Sequence, residues 1–137
     1  MRVIPLFVAT AAMALPFAPA RAGAAEPVAY DTAIRCAAVD TILSSVLESS
    51  AGEAGGDDTD RQMAEHFDGM LRYWIAYAAS LKSEDAVLAS YSEMVTGLAE
   101  QLEAAQGEDV VKTVIGTDMA RCGELEQDAL MAEAPGD

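Results

Sequence analysis

Two cysteines, Cys36 and Cys122, stand 86 positions apart in a chain of 137 residues, and they constrain its fold more than any other feature. In an oxidising compartment an even pair reads as one disulfide. That bond closes a loop of 87 residues. Loop-closure entropy assigns it roughly 4–5 kcal/mol at the upper end, comparable with the whole stability of a small domain. There is no Cys-x-x-Cys, and Cys122 is followed by Gly123-Glu124, so neither a redox pair nor a haem-attachment motif is present.

The N-terminus supplies the oxidising compartment. Met1 and Arg2 precede an apolar run over 3–17, interrupted by Pro5 and Pro16. The run is short of the roughly 20 residues a spanning helix needs. Ala20-Arg21-Ala22 follows as a small-x-small cleavage pattern, with Ala18-Pro19-Ala20 as a second candidate. Residues 1–22 therefore read as a cleaved signal peptide. No cysteine follows directly to carry a lipid, and no second apolar run offers an anchor. The expectation is a soluble periplasmic or secreted protein with no membrane anchor.

Charge narrows the partners. The chain has 8 basic and 23 acidic residues; Arg2 and Arg21 leave with the signal, so 6 bases face 23 acids, a net of −17. Such a field repels nucleic acid and anionic lipid and favours solubility and basic partners.

Apolar periodicity divides the remainder into four helices. In 31–49, Cys36, Val39, Leu43, Val46 and Leu47 share a face, and Asp31 and Arg35 are i,i+4 neighbours. The stretch 49–58 is a linker broken by Gly55-Gly56. Thr59-x-x-Gln62 is a capping-box pattern opening the second helix. Its stripe is Met63, Phe67, Met70, Leu71, Trp74, Ala78 and Leu81, opposite the pairs Arg61–Glu65 and Asp68–Arg72. Ser83 is placed to cap the third helix. There Leu88, Tyr91, Val95, Leu98, Leu102 and Ala105 form a heptad, which suits bundle packing and homodimerisation equally. Gln106-Gly107 ends it. The fourth helix starts at Glu108 and Asp109, with Val111, Val114, Ile115, Met119, Cys122 and Leu125 as its stripe. The β-branched run 110–115 reads as helix because a lone strand has no partner.

The predicted fold is all-α: an up-down-up-down four-helix bundle after a cleaved signal peptide, with one disulfide between helices 1 and 4. In that order the first and last helices are antiparallel neighbours, which puts Cys36 and Cys122 at the same end. The predicted organisation is signal peptide 1–22, N-terminal extension 23–30, bundle 31–126 and an acidic flexible tail 127–137.

No catalytic pattern emerges, and the chain reads as a non-enzyme without a cofactor. His66 is the one histidine, so the Glu-x-x-His pairs of di-iron bundles are missing. With Met63, Met70, Met94 or Met119 it could ligate haem or copper; a boundary histidine among core methionines is the commoner arrangement. The acids 57, 58 and 60 lack the glycine and final glutamate of a calcium loop. The serines sit in no Gly-x-Ser-x-Gly turn. The candidate binding edge is His66, Tyr73 and Tyr77 on the second helix, because tyrosine suits a surface half apolar and half wet.

Glu84-Asp85-Ala86-Val87-Leu88, lying between the cysteines, resembles a segment of the acid-activated periplasmic chaperones. Those are small, all-helical and held by one disulfide. This chain is longer, has a wider cysteine interval and is more acidic. Size, helicity and the disulfide also resemble periplasmic immunity proteins that neutralise secreted toxins. No motif identifies either family. The leading expectation is a non-catalytic binding protein, an immunity or accessory protein with one cognate, basic protein partner. The alternatives are an acid- or stress-activated chaperone and a haem- or metal-binding bundle.

Overall fold

The computed structural model describes residues 27–53, 55–107 and 109–133. The expected signal peptide, 23–26 of the extension and 134–137 of the tail lie outside these residues. The described chain is all-helical: α1 (Tyr30–Gly52), α2 (Asp58–Leu81), α3 (Glu84–Ala104) and α4 (Val110–Glu133). None of these helices is long and apolar enough to cross a membrane.

Local chemistry explains the boundaries. α1 runs on to Gly52 through its serine-rich end. There Ser45, Ser49 and Ser50 hydroxyls donate to the carbonyls of Thr41, Ser45 and Val46 one turn back, so these side chains ride along the helix without capping it. Glycine then ends the run: Gly55 has φ +103°, and a Cβ on Gly56 would collide with the Ala51 backbone. The start of α2 corrects the expected capping box. Asp57, two residues upstream of Thr59, is the N-cap, and its carboxylate accepts from Thr59 N–H at 3.1 Å. Ser83 caps α3 as expected, accepting from Ala86 N–H at 3.3 Å. The run 110–115 is helical. α4 continues to Glu133, past the residue 126 at which the sequence reading closed the bundle, and no glycine or proline interrupts 124–133.

α1 is the central element. It packs most closely against α2 and also touches α3 and α4. Ala33, Ile34, Cys36, Ala37, Ala38, Val39 and Asp40 are all buried. Three alanines let the neighbouring helices approach closely on several sides. One buried cluster gathers Ala33, Ile34, Cys36, Ala37, Trp74, Ala78, Val87 and Cys122. A second gathers Ala38, Val39, Leu43, Leu98 and Ile115. The Cys36–Cys122 disulfide joins α1 to α4 with Cα atoms 5.5 Å apart. Tyr30 latches the start of α1 to α3: its hydroxyl is hydrogen-bonded to the Ala86 carbonyl at 3.2 Å and Ser90 Oγ at 3.0 Å. Lys82 Nζ lies 3.9 Å from the centre of the Tyr30 ring, a cation–π contact.

Several expected local details change. Arg35 passes over Asp31 and pairs with Asp118 of α4 at 2.7 Å, where both groups are partly buried and screened less by water. Arg61 turns to Asp58 instead of Glu65, while Asp68–Arg72 forms as expected at 2.8 Å. The α3 heptad is shifted by one residue at its start: Val87 is buried and Leu88 exposed. Met63 and Leu81, at the ends of the α2 stripe, are exposed as well.

Candidate functional site

Asp40 follows Cys36 by four residues on α1, and Glu126 follows Cys122 by four on α4. A spacing of four keeps each acid on the face of its own cysteine. The disulfide thus carries two carboxylates into the interior, where Asp40 is 1% and Glu126 6% exposed. Trp74 of α2 reaches across and donates Nε1–H to Glu126 Oε1 at 3.1 Å. Asp40 Oδ2 is fully buried and no N–H or O–H of the described residues reaches it.

Two such neighbours cannot both stay ionised. Burial pushes Asp40 up from 3.8 to about 9, and the adjacent Glu126 adds to the rise through its charge and its hydrogen bond. Desolvation and a like charge act in the same direction on an acid. Near neutral pH Asp40 therefore keeps its proton, which lies against Glu126 and supplies the donor that no N–H of the described residues does. Among the described residues no lysine or arginine pairs with either acid; Arg35, on the same helix as Asp40, is taken by Asp118.

The pair lies at a cavity of about 390 Å³ between α1, α2 and α4. Its walls are mostly apolar, with Val39, Leu43, Phe67, Met119 and Leu130, and His66 and Gln127 as further polar residues of the lining. Gly123 makes part of this room: a Cβ built there meets nothing within 4 Å. The volume falls in the range of small-ligand pockets. An apolar sleeve leading to one buried negative charge suits a ligand with an aliphatic body and a cationic end.

The expected binding edge is split by the structure. His66 is exposed, lines this cavity, and meets Phe67 edge-on at 5.5 Å between ring centres. Tyr73 and Tyr77 stack at 6.4 Å and border a separate groove of about 340 Å³ with Pro27, Val28 and Leu125. Tyr77 donates its hydroxyl to the Val28 carbonyl at 2.9 Å. Burial raises the Tyr73 phenol above its ordinary value, and Glu133 and Tyr77 add to the shift.

Among the described residues no three His, Cys, Asp or Glu side chains are grouped to hold a metal ion. Sequence reasoning missed Asp40 and Glu126 and found no assembled carboxylates. The readable signal was their common offset from the two cysteines. No family model matches the chain, and no curated protein or solved structure matches it.

Proposed function

We propose that the chain is an exported, non-catalytic binding protein that engages one basic protein partner at the cavity between α1, α2 and α4. The observation that carries this reading is the buried Asp40–Glu126 pair at a largely apolar cavity, with no N–H of the described residues reaching Asp40 Oδ2. The long-range field agrees with it. Of the six bases that remain after residue 22, Arg35, Arg61 and Arg72 are in ion pairs and Lys82 rests on Tyr30. The 23 acids are left largely uncompensated, and such a field steers a basic partner toward the surface.

The same reading takes the bundle as up-down-up-down and the mature chain as periplasmic or secreted. Two contacts support the helix order. Ser44, late in α1, donates to the Ala64 carbonyl early in α2, and Tyr77, late in α2, bonds Val28 just before α1. The disulfide supports an oxidising compartment.

The test is affinity capture from the periplasm with the tagged mature domain, alongside Gly123→Leu, whose added side chain takes up part of the cavity. One stoichiometric basic protein is expected with the wild type, lost with Gly123→Leu and weakened steeply by salt. Equal capture by both forms, or capture insensitive to salt, removes the cavity or the charge from the reading.

A further inference from the structure

The chemistry of the cavity narrows what the partner presents. Asp40 Oδ2 is closed off from solvent with no donor among the described residues, and Glu126 Oε1 is already engaged by Trp74, so each carboxylate has at most one oxygen left to face a ligand. A guanidinium is a planar fork that seeks two coplanar acceptors of one carboxylate. Here the free acceptor sites belong to two different carboxylates, and one of those is partly occupied. A primary ammonium is compact, and its three N–H groups diverge, so it bridges two carboxylates without needing either whole. Val39, Leu43, Phe67 and Met119 offer an apolar lining for a chain of methylenes, the usual setting for a lysine stem with its charge at the far end.

We infer that the cavity seats an alkylammonium group, the end of a lysine-like chain, which takes the place of the proton shared by Asp40 and Glu126. This rests on the proposed function and names the chemistry of the group that the partner inserts. The exchange balances. Before binding, one carboxylic acid and one carboxylate carry a charge of minus one. Afterwards two carboxylates and one ammonium carry the same charge, one proton has gone to solvent, and no covalent bond to carbon has changed. The buried charge is constant, so seating the cation does not leave a second uncompensated charge in the interior.

The groups able to disturb this exchange are few. From α4 the titratable residue on the cavity is Glu126, from α2 it is His66, and α3 contributes nothing to the lining. Arg35, on Asp40's own helix, is turned to Asp118. Because Asp40 keeps its proton far above the ordinary carboxylate range, binding tightens as pH rises. The limiting slope is about tenfold per pH unit, one proton being released per ligand.

The experiment is calorimetric titration of the mature protein with n-hexylammonium chloride from pH 6 to 8.5, in paired buffers of different ionisation heat. The expected result is one proton released per amine and an affinity that climbs about tenfold per pH unit. n-Butylguanidinium should bind at least about tenfold more weakly, in line with its poorer fit. Asp40→Asn should lose the pH slope. Gly123→Leu should not bind. Equal binding to wild type and Gly123→Leu places the amine on the acidic surface and overturns the inference. So does binding without proton release, or no binding at millimolar amine. A captured partner separates the two sources: acetylating its lysines abolishes binding if a lysine is the inserted group. If acetylation has no effect while hexylammonium binds with proton release, the cavity takes a free amine, and the proposed function falls in placing its protein partner at the cavity. A partner blocked by Gly123→Leu whose affinity is flat with pH leaves the proposed function standing and overturns the ammonium exchange.

Discussion

Trp74 Nε1 donates to Glu126 Oε1 at 3.1 Å, and among the described residues it is the one protein N–H that reaches the buried carboxylate pair. Trp74 is 1% exposed and packs in the cluster that contains both cysteines. Its indole therefore holds Glu126 in place and is also the largest side chain of the core. Trp74→Phe keeps an aromatic ring but deletes the donor. Leaving a buried acceptor unsatisfied costs about 1–3 kcal/mol, and the smaller ring adds a packing loss. Urea unfolding should show a lower midpoint by that amount. A change below about 0.5 kcal/mol would mean that the bond contributes nothing net.

The Asp40–Glu126 pair makes stability depend on pH, with an unusual sign. Asp40 is held at about 9 in the fold against 3.8 for the ordinary carboxyl. Between these values the native chain keeps a proton that the unfolded chain has lost. Stability is then greatest at the acid end of the window and falls as pH rises, by at most about 1.4 kcal/mol per pH unit. Urea midpoints at pH 6, 7, 8 and 9 should decline steadily for the wild type and flatten for Asp40→Asn. Acidification toward pH 4 also relieves the acidic surface of its self-repulsion. Both effects hold the domain closed in mild acid, which runs against the acid-opening chaperone alternative. Exposure of apolar surface, read by dye binding at pH 4 to 5, would restore that alternative.

Much of the fold was readable from spacing, and the site was not. The α2 stripe contains Met70, Trp74 and Ala78, which the structure buries. The Ser83 cap and the pairing of Cys36 with Cys122 follow from residue type and position alone. Helix α1 was harder, because its burial rests on Ala33, Ala37 and Ala38. Alanine carries little signal in a hydrophobic pattern, although its size is what admits neighbours on several sides. Asp40 and Glu126 were invisible because periodicity assigns every acid to solvent. Only the constraint imposed by the disulfide, one turn away on each helix, marks them as interior. The α3 heptad slipped for a related reason: Val87 and Leu88 are adjacent and both apolar, and packing decides which one faces inward.

The disulfide predicts a further pair of measurements. Replacing both Cys36 and Cys122 by alanine frees a loop of 87 residues in the unfolded chain. The loss should approach 4–5 kcal/mol at most on the loop-entropy account, for which roughly 4.7 kcal/mol corresponds to a loop of about 100 residues. α4 is otherwise tied to α1 by Arg35–Asp118 and by packing around Ile115. Amide exchange should therefore rise first in α4. Cys36 is 0% and Cys122 3% exposed, so reduction of the native protein should follow the opening of the helices and accelerate with urea. Reduction as fast in the native state as in 6 M urea would show that the bond is reached without opening.

Gly123 and Gly56 should respond in opposite ways to the same substitution. Gly123 lies inside α4, and a Cβ there enters open space. Alanine in a helix interior is more favourable than glycine by roughly 0.5–1 kcal/mol, because glycine loses more backbone freedom on folding. Gly123→Ala should raise the urea midpoint accordingly, while still leaving most of the cavity empty. Gly56 lies in the turn before α2, where a Cβ would run into the Ala51 carbonyl group. Gly56→Ala must displace the end of α1 or the turn, and should lower the midpoint by about 1 kcal/mol or more. Measured side by side, the two alanines separate helix propensity from close backbone approach. If Gly123→Ala is destabilising, the space beside it is filled in solution, and the cavity is smaller than the volume on which the binding reading depends.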